Sequence, residues 1–200
     1  MVWKKSIVHF NSLNLKFILL EKGEYFIMKT NFKKSIINSL LIAIGFILHQ
    51  IAPPILFGMK PDLSLIMMFI IILLNDDYKT ALISGILYGV LTALTTTFPG
   101  GQPANIIDKI VTSHVIYLSL IPFRNKFNNQ VKIIIETFIG TIVSGTVFIL
   151  SAAFLVGINQ SVSSLFLAVV LPATLVNSII APIIYNGIKL SLKHSNTNIF

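Results

Sequence analysis

Six long apolar runs separated by short polar loops fill most of this 200-residue chain, and that succession fixes the solvent in which it can fold. Six crossings of a hydrocarbon layer at roughly 20 residues each use about 120 residues. The remainder suffices for loops and little else. Only 11% of the residues are charged, whereas a soluble domain carries roughly 25%. A water-soluble enzyme, a disordered chain and a fibre all fit this pattern poorly. The expected class is all-α: an integral membrane bundle of about six transmembrane helices. The net charge of +8 is divided among short flanks between the apolar runs. Such flanks suit a membrane orientation signal rather than a nucleic-acid surface. The chain has no cysteine, which removes disulfides, thiolate metal sites and thiol nucleophiles.

The expected spans are Ser35–Ile51, Ile55–Leu74, Ala81–Thr97, Ile106–Phe123, Val131–Val156 and Val162–Leu192. Within the second, only Leu63–Leu74 reads as a clear helix, because Gly58, Lys60, Pro61 and Asp62 interrupt its outer part. Pro172 and Pro182 are expected to kink the sixth. Lysine and arginine gather in alternate loops. One side holds Lys29, Lys33, Lys34, Lys79, Arg124, Lys126, Lys132, Lys189 and Lys193, the other only Lys60 and Lys109. Basic loops stay in the cytoplasm. Both termini are therefore expected to be cytoplasmic, with the loops at 52–62, 98–108 and 157–161 outside. Met28, followed by Lys29, Lys33, Lys34 and the first apolar run, reads as a bacterial translation start. Glu21-Lys22-Gly23-Glu24 can be encoded by codons containing a ribosome-binding sequence. Met1–Ile27 is thus expected to be an untranslated leader, with a short interfacial tail as the alternative.

The outer loops carry the unusual chemistry. Asp62 lies two residues after Lys60, and Asp108 directly precedes Lys109. Charges beside hydrocarbon are costly and tend to be functional. Capping of the second helix by Asp62, or interfacial anchoring by Asp108-Lys109, explains either aspartate equally well. Thr95-Thr96-Thr97 leads into Phe98-Pro99-Gly100-Gly101-Gln102-Pro103-Ala104-Asn105, a stretch richer in donors and acceptors than a turn requires. Its glycines permit close backbone approach to a ligand. Small residues recur at four-residue spacing at Gly85, Gly89 and Ala93, at Gly140 and Ser144, and at Ser39 and Ala43. Internal helix packing explains all three ridges, and partner docking is the sharper reading of the last. His49, His114, Asn177 and Asn186 read as interhelical contacts, and Glu136 can pair with Lys132 one turn away. The chain has no phosphate loop, no H-E-x-x-H, no G-x-S-x-G and no acidic cluster of metal-site density. No enzymatic activity, cofactor or metal is expected.

Pro53-Pro54-Ile55-Leu56-Phe57-Gly58-Met59-Lys60-Pro61-Asp62 and Ala93-Leu94-Thr95-Thr96-Thr97-Phe98-Pro99-Gly100-Gly101-Gln102, continuing to Asn105-Ile106-Ile107-Asp108-Lys109, resemble the bacterial tryptophan transporter TrpP family from about Met28 onward. The resemblance implies tryptophan uptake at a bacterial plasma membrane. That family is similar to the substrate-binding subunits of energy-coupling factor transporters, which have about six helices and no ATPase of their own. It therefore also implies a transmembrane coupling subunit and ATPases as partners, docking on the first helix at Ser39 and Ala43. Besides these, the partners are tryptophan and the lipid bilayer, and no nucleic acid. A tryptophan zwitterion needs an acid for its ammonium, donors for its carboxylate and an aromatic slot for its indole. Asp62 or Asp108 can serve the first, and Lys60, Lys109 or helix N-terminal amides the second. Phe57, Phe98 and Tyr88 can flank the ring, and Gln102 or Asn105 can accept the indole N–H. Thr97 belongs to the same set. The competing reading is a membrane scaffold of the cell-wall and shape machinery, since Pro61-Asp62-Leu63 also suits such proteins.

Overall fold

The computed structural model describes residues 32–53, 60–158 and 161–194. The Met1–Ile27 reading and Phe57 lie outside the described residues. The chain divides into two compact units, residues 1–39 and 40–200. The described part of the first is the opening of a helix, where the Ser39 hydroxyl donates to the Ser35 carbonyl at 2.9 Å. All that follows concerns the second unit, apart from that helix's own bounds.

The described residues form six helices and no strand: α1 (Phe32–Ile51), α2 (Ser64–Leu74), α3 (Tyr78–Leu94), α4 (Gln102–Leu120), α5 (Asn129–Leu155) and α6 (Val162–His194). A 3₁₀ turn, Ile121–Phe123, extends α4. α1, α4 with this turn, α5 and α6 are long and apolar enough to cross a bilayer. α2 has only 11 residues, or roughly 16 Å of helix, about half the thickness of a hydrocarbon core. All of its residues are buried. Its sequence is apolar on every side, so no face prefers water, and α3, α4, α5 and α6 enclose it. The second run therefore forms the centre of the bundle.

The other helices are inside-out. On α4, Ile107, Val111 and Leu118 are exposed, while Asp108, Lys109, Thr112 and Ser113 are buried. On α5, Phe138 and Ile139 face outward and Thr137, Thr141 and Ser144 inward. A lipid surround produces this inversion, because polar groups there must find partners within the protein. The result is an all-α membrane bundle.

Polar side chains start the helices at the water boundary. Asp77 accepts from the Thr80 amide at 2.7 Å, Asn128 from Val131 at 2.8 Å and Ser161 from Ser164 at 3.2 Å. Glycines set the closest approaches. A Cβ on Gly85 would lie 2.8 Å from the Lys109 carbonyl oxygen, and one on Gly89 3.1 Å from the Ile106 Cα, so α3 and α4 meet almost backbone to backbone. Gly140 similarly admits the Phe69 ring of α2. Glu136 does not pair with Lys132. It accepts from Ser119 at 3.1 Å, while Lys132 bonds the Arg124 carbonyl and Asn129. The lysine thereby ties the preceding turn to α5 at the bundle end.

α6 widens into a π turn over Phe166–Val170, where the Leu171 amide reaches back to the Phe166 carbonyl. Pro172 follows at once and supplies no amide, which interrupts the ordinary ladder at this point. Pro182, by contrast, sits within continuous helix.

Candidate functional site

At one end of the bundle lies a cavity whose empty space, open mouth included, is about 670 Å³. The end of α1, the loop before α2, the starts of α2 and α4, the loop after α3, the later half of α5 and the π turn of α6 all contribute to its wall.

The wall has a charged pole. Asp62 ends the loop before α2, and its Oδ1 accepts from the Ser64 amide at 3.0 Å and from the Ser64 hydroxyl. The N-cap of α2 is Leu63, without a side-chain cap bond, so Asp62 is not itself the cap, and from the position before Leu63 it binds the helix's first residue. Its other role is electrostatic. Oδ2 lies 2.7 Å from Lys109 Nζ, and His49 Nδ1 lies 3.2 Å from Oδ1. Lys109 also bonds its chain neighbour Asp108, whose Oδ1 accepts from Thr112 at 3.1 Å. Asp108 and Lys109 are each 1% exposed. A lone charge at such a position would be expelled, and the mutual pairing is what allows these to stay. His49 reaches the network because it shares the inward face of α1 with Leu41 and Gly45, at four-residue spacing. Asn177 of α6 bonds both the Asp62 carbonyl oxygen and the Thr141 hydroxyl at 3.3 Å, fixing the loop against α5 and α6. Lys60 lines the same cavity half-buried and has no acidic partner among the described residues.

The opposite pole is apolar. Phe98 and Phe148 meet edge to face with centroids 5.6 Å apart. They pack with Ala104, Ile149, Val169 and Val170 in one cluster. The π turn brings both valines onto the cavity wall.

Of the residues singled out from the sequence, Lys60, Asp62, Thr97, Phe98, Asn105, Asp108 and Lys109 share this cavity. Tyr88 does not line it. Its ring packs against Gly45, and its hydroxyl donates to the Leu41 carbonyl at 2.9 Å, joining α3 to α1. Gln102 is exposed in the first turn of α4, away from the wall. Ser39 and Ala43 are both exposed on α1. Sequence reasoning missed His49, Phe148, Thr141 and Ser144. The last three recur at 141, 144 and 148, one helical face with two hydroxyls in an apolar run, and that periodicity is a readable signal.

The sequence profile of the family described as "Tryptophan transporter TrpP" matches residues 31–193. The chain belongs to the TrpP family of tryptophan transporters. Its relatives include a "Probable tryptophan transport protein" of Clostridium acetobutylicum, 55% identical over 83% of this chain and 97% of that one. Proteins of the same description from Clostridium perfringens and Bacillus subtilis are 41% and 45% identical, each over 84% of this chain and 98% and 96% of their own lengths. The family is one of transporters, not enzymes. No solved structure matches the chain significantly.

Proposed function

We propose that this TrpP-family protein takes up tryptophan across the bacterial plasma membrane and binds it in the cavity described above. The observation that carries this reading is the union, in one cavity, of balanced charges at one pole with an aromatic, apolar pole at the other. Asp62, Asp108, Lys109 and Lys60 sum to zero, which suits a zwitterion. Asp62 already accepts from four protein donors, about as many as a carboxylate can take. Asp108 is therefore assigned to the ligand ammonium and the unpaired Lys60 to its carboxylate. Phe98 and Phe148 flank the indole. Asn105 donates its amide N–H to the Gly101 carbonyl at 3.0 Å, leaving Oδ1 to accept the indole N–H. The distribution of Lys and Arg supports six crossings with cytoplasmic termini and the cavity facing outward.

The energy source in this reading is an ATP-driven coupling module, with this chain as its substrate-binding subunit. Three features support it: the small six-helix bundle, the lack of a phosphate loop in the sequence, and the outward exposure of Ser39 and Ala43 on α1. Binding of labelled tryptophan to the full chain in lipid nanodiscs tests the first proposal. Saturable binding that leucine does not displace is expected, and its absence refutes the assignment. Growth rescue of a tryptophan auxotroph, with and without coupling-factor genes, tests the second. Equal rescue without those genes refutes ATP-driven coupling.

A further inference from the structure

We infer that His49 is a substrate-binding residue of this site: its Nε2 accepts a hydrogen bond from the ammonium group of the bound amino acid, and Asp62 is the positioning residue that fixes the ring. This rests on the reading of the cavity as a tryptophan site. His49 lines the cavity and is 5% exposed. Its Nδ1 faces Asp62 Oδ1 at 3.2 Å. A carboxylate paired with lysine can only accept, so Nδ1 carries the proton, and in the tautomer we assign, Nε2 is the ring's acceptor. That nitrogen is buried and has no hydrogen-bond partner among the described residues. A buried acceptor left unpaired is destabilising, and the great majority in folded proteins have a partner. On a cavity wall, that partner is a ligand group.

The chemistry selects which group. A lone pair takes a donor, and the ligand carboxylate has none. The ring stands on the charged wall, linked through Asp62 to Lys109 and Asp108, and the two phenylalanines form the separate apolar cluster. The ammonium, with three N–H bonds, is the donor that belongs at this pole. Asp62 already holds three donors on Oδ1 and Lys109 on Oδ2. Asp62 therefore acts at one remove, holding the imidazole in the required tautomer and orientation.

Two substitutions separate the two ring nitrogens. His49→Asn keeps a donor for Asp62 and deletes the cavity acceptor. His49→Gln loses the Asp62 contact and keeps an acceptor near the Nε2 position. Affinities are measured on the full chain in nanodiscs by competition against labelled tryptophan, with thermal unfolding as the check on folding. For His49→Asn, tryptophan and 1-methyltryptophan are each expected to bind about 10- to 100-fold more weakly, the usual range for a hydrogen bond to a charged group. Indole-3-propionate, which lacks the ammonium, is expected to bind both proteins alike. His49→Gln is expected to retain tryptophan within about 5-fold if its new acceptor replaces Nε2. An unchanged tryptophan affinity in His49→Asn overturns the assignment. Equal weakening for indole-3-propionate also overturns it, and loss confined to ligands with an indole N–H shows that His49 meets the ring instead. If the unaltered protein ignores tryptophan altogether, the functional reading fails and takes this inference with it.

Discussion

Lys109→Met gives the sharpest test of the charged network, because it keeps most of the unbranched apolar stem and removes the terminal cation. Lys109 is 1% exposed and bonds both Asp62 and Asp108. Without it, two carboxylates face one another in a poorly hydrated site. Breaking a buried ion pair by removing one partner costs about 3–5 kcal/mol, roughly a 150- to 5,000-fold change in the folding equilibrium. For a chain of this length, each kcal/mol lowers Tm by roughly 2–4 °C, so the expected fall is about 6–20 °C. The assay is thermal unfolding of the purified protein in detergent without ligand. The two aspartates are unequal, and this grades the rescue. Asp62 keeps three donors after the substitution, from His49 and twice from Ser64. Asp108 keeps Thr112, with Ser144 beside it. Lys109→Met/Asp108→Asn is therefore expected to recover more stability than Lys109→Met/Asp62→Asn. A single variant melting within about 2 °C of the unaltered protein, well under one broken pair by the same conversion, refutes the reasoning. So does the reverse order of rescue.

Removing one ring of the apolar pole, by Phe98→Ala or Phe148→Ala, is expected to weaken tryptophan binding by up to about 10-fold through lost ring contact alone, with lost burial adding to it; direct binding measurement checks this, and leucine affinity should move less. Lys60→Gln is expected to weaken tryptophan but not tryptamine, which has no carboxylate, in the same competition assay. Gly85→Leu should separate α3 from α4 and lower Tm and expression, since the Lys109 backbone leaves no room for a side chain, whereas the outward Ile83→Leu should leave both unchanged. Because the chain has no cysteine, single cysteines report topology cleanly: Ser163→Cys is expected to react with an impermeant maleimide on intact cells, and Lys126→Cys only after the membrane is opened.

The sequence by itself determined the class and one end of the molecule. Apolar runs, prolines and basic flanks act through local partition between water and lipid, which needs no knowledge of neighbours. The polar residues at 60–62 and 96–109 stand out for the same reason, since each is costly against hydrocarbon wherever the helices cross. Tertiary structure alone decided how the charges pair, that α2 is an enclosed half-helix, that Tyr88 ties α3 to α1, and that His49 and Phe148 reach the cavity. His49 and Asp62 lie 13 residues apart, Tyr88 and Leu41 47, and Asn177 and Asp62 115. Contacts over such separations depend on where small residues allow the helices to cross, and hydropathy read along one strand of chain carries no record of that crossing.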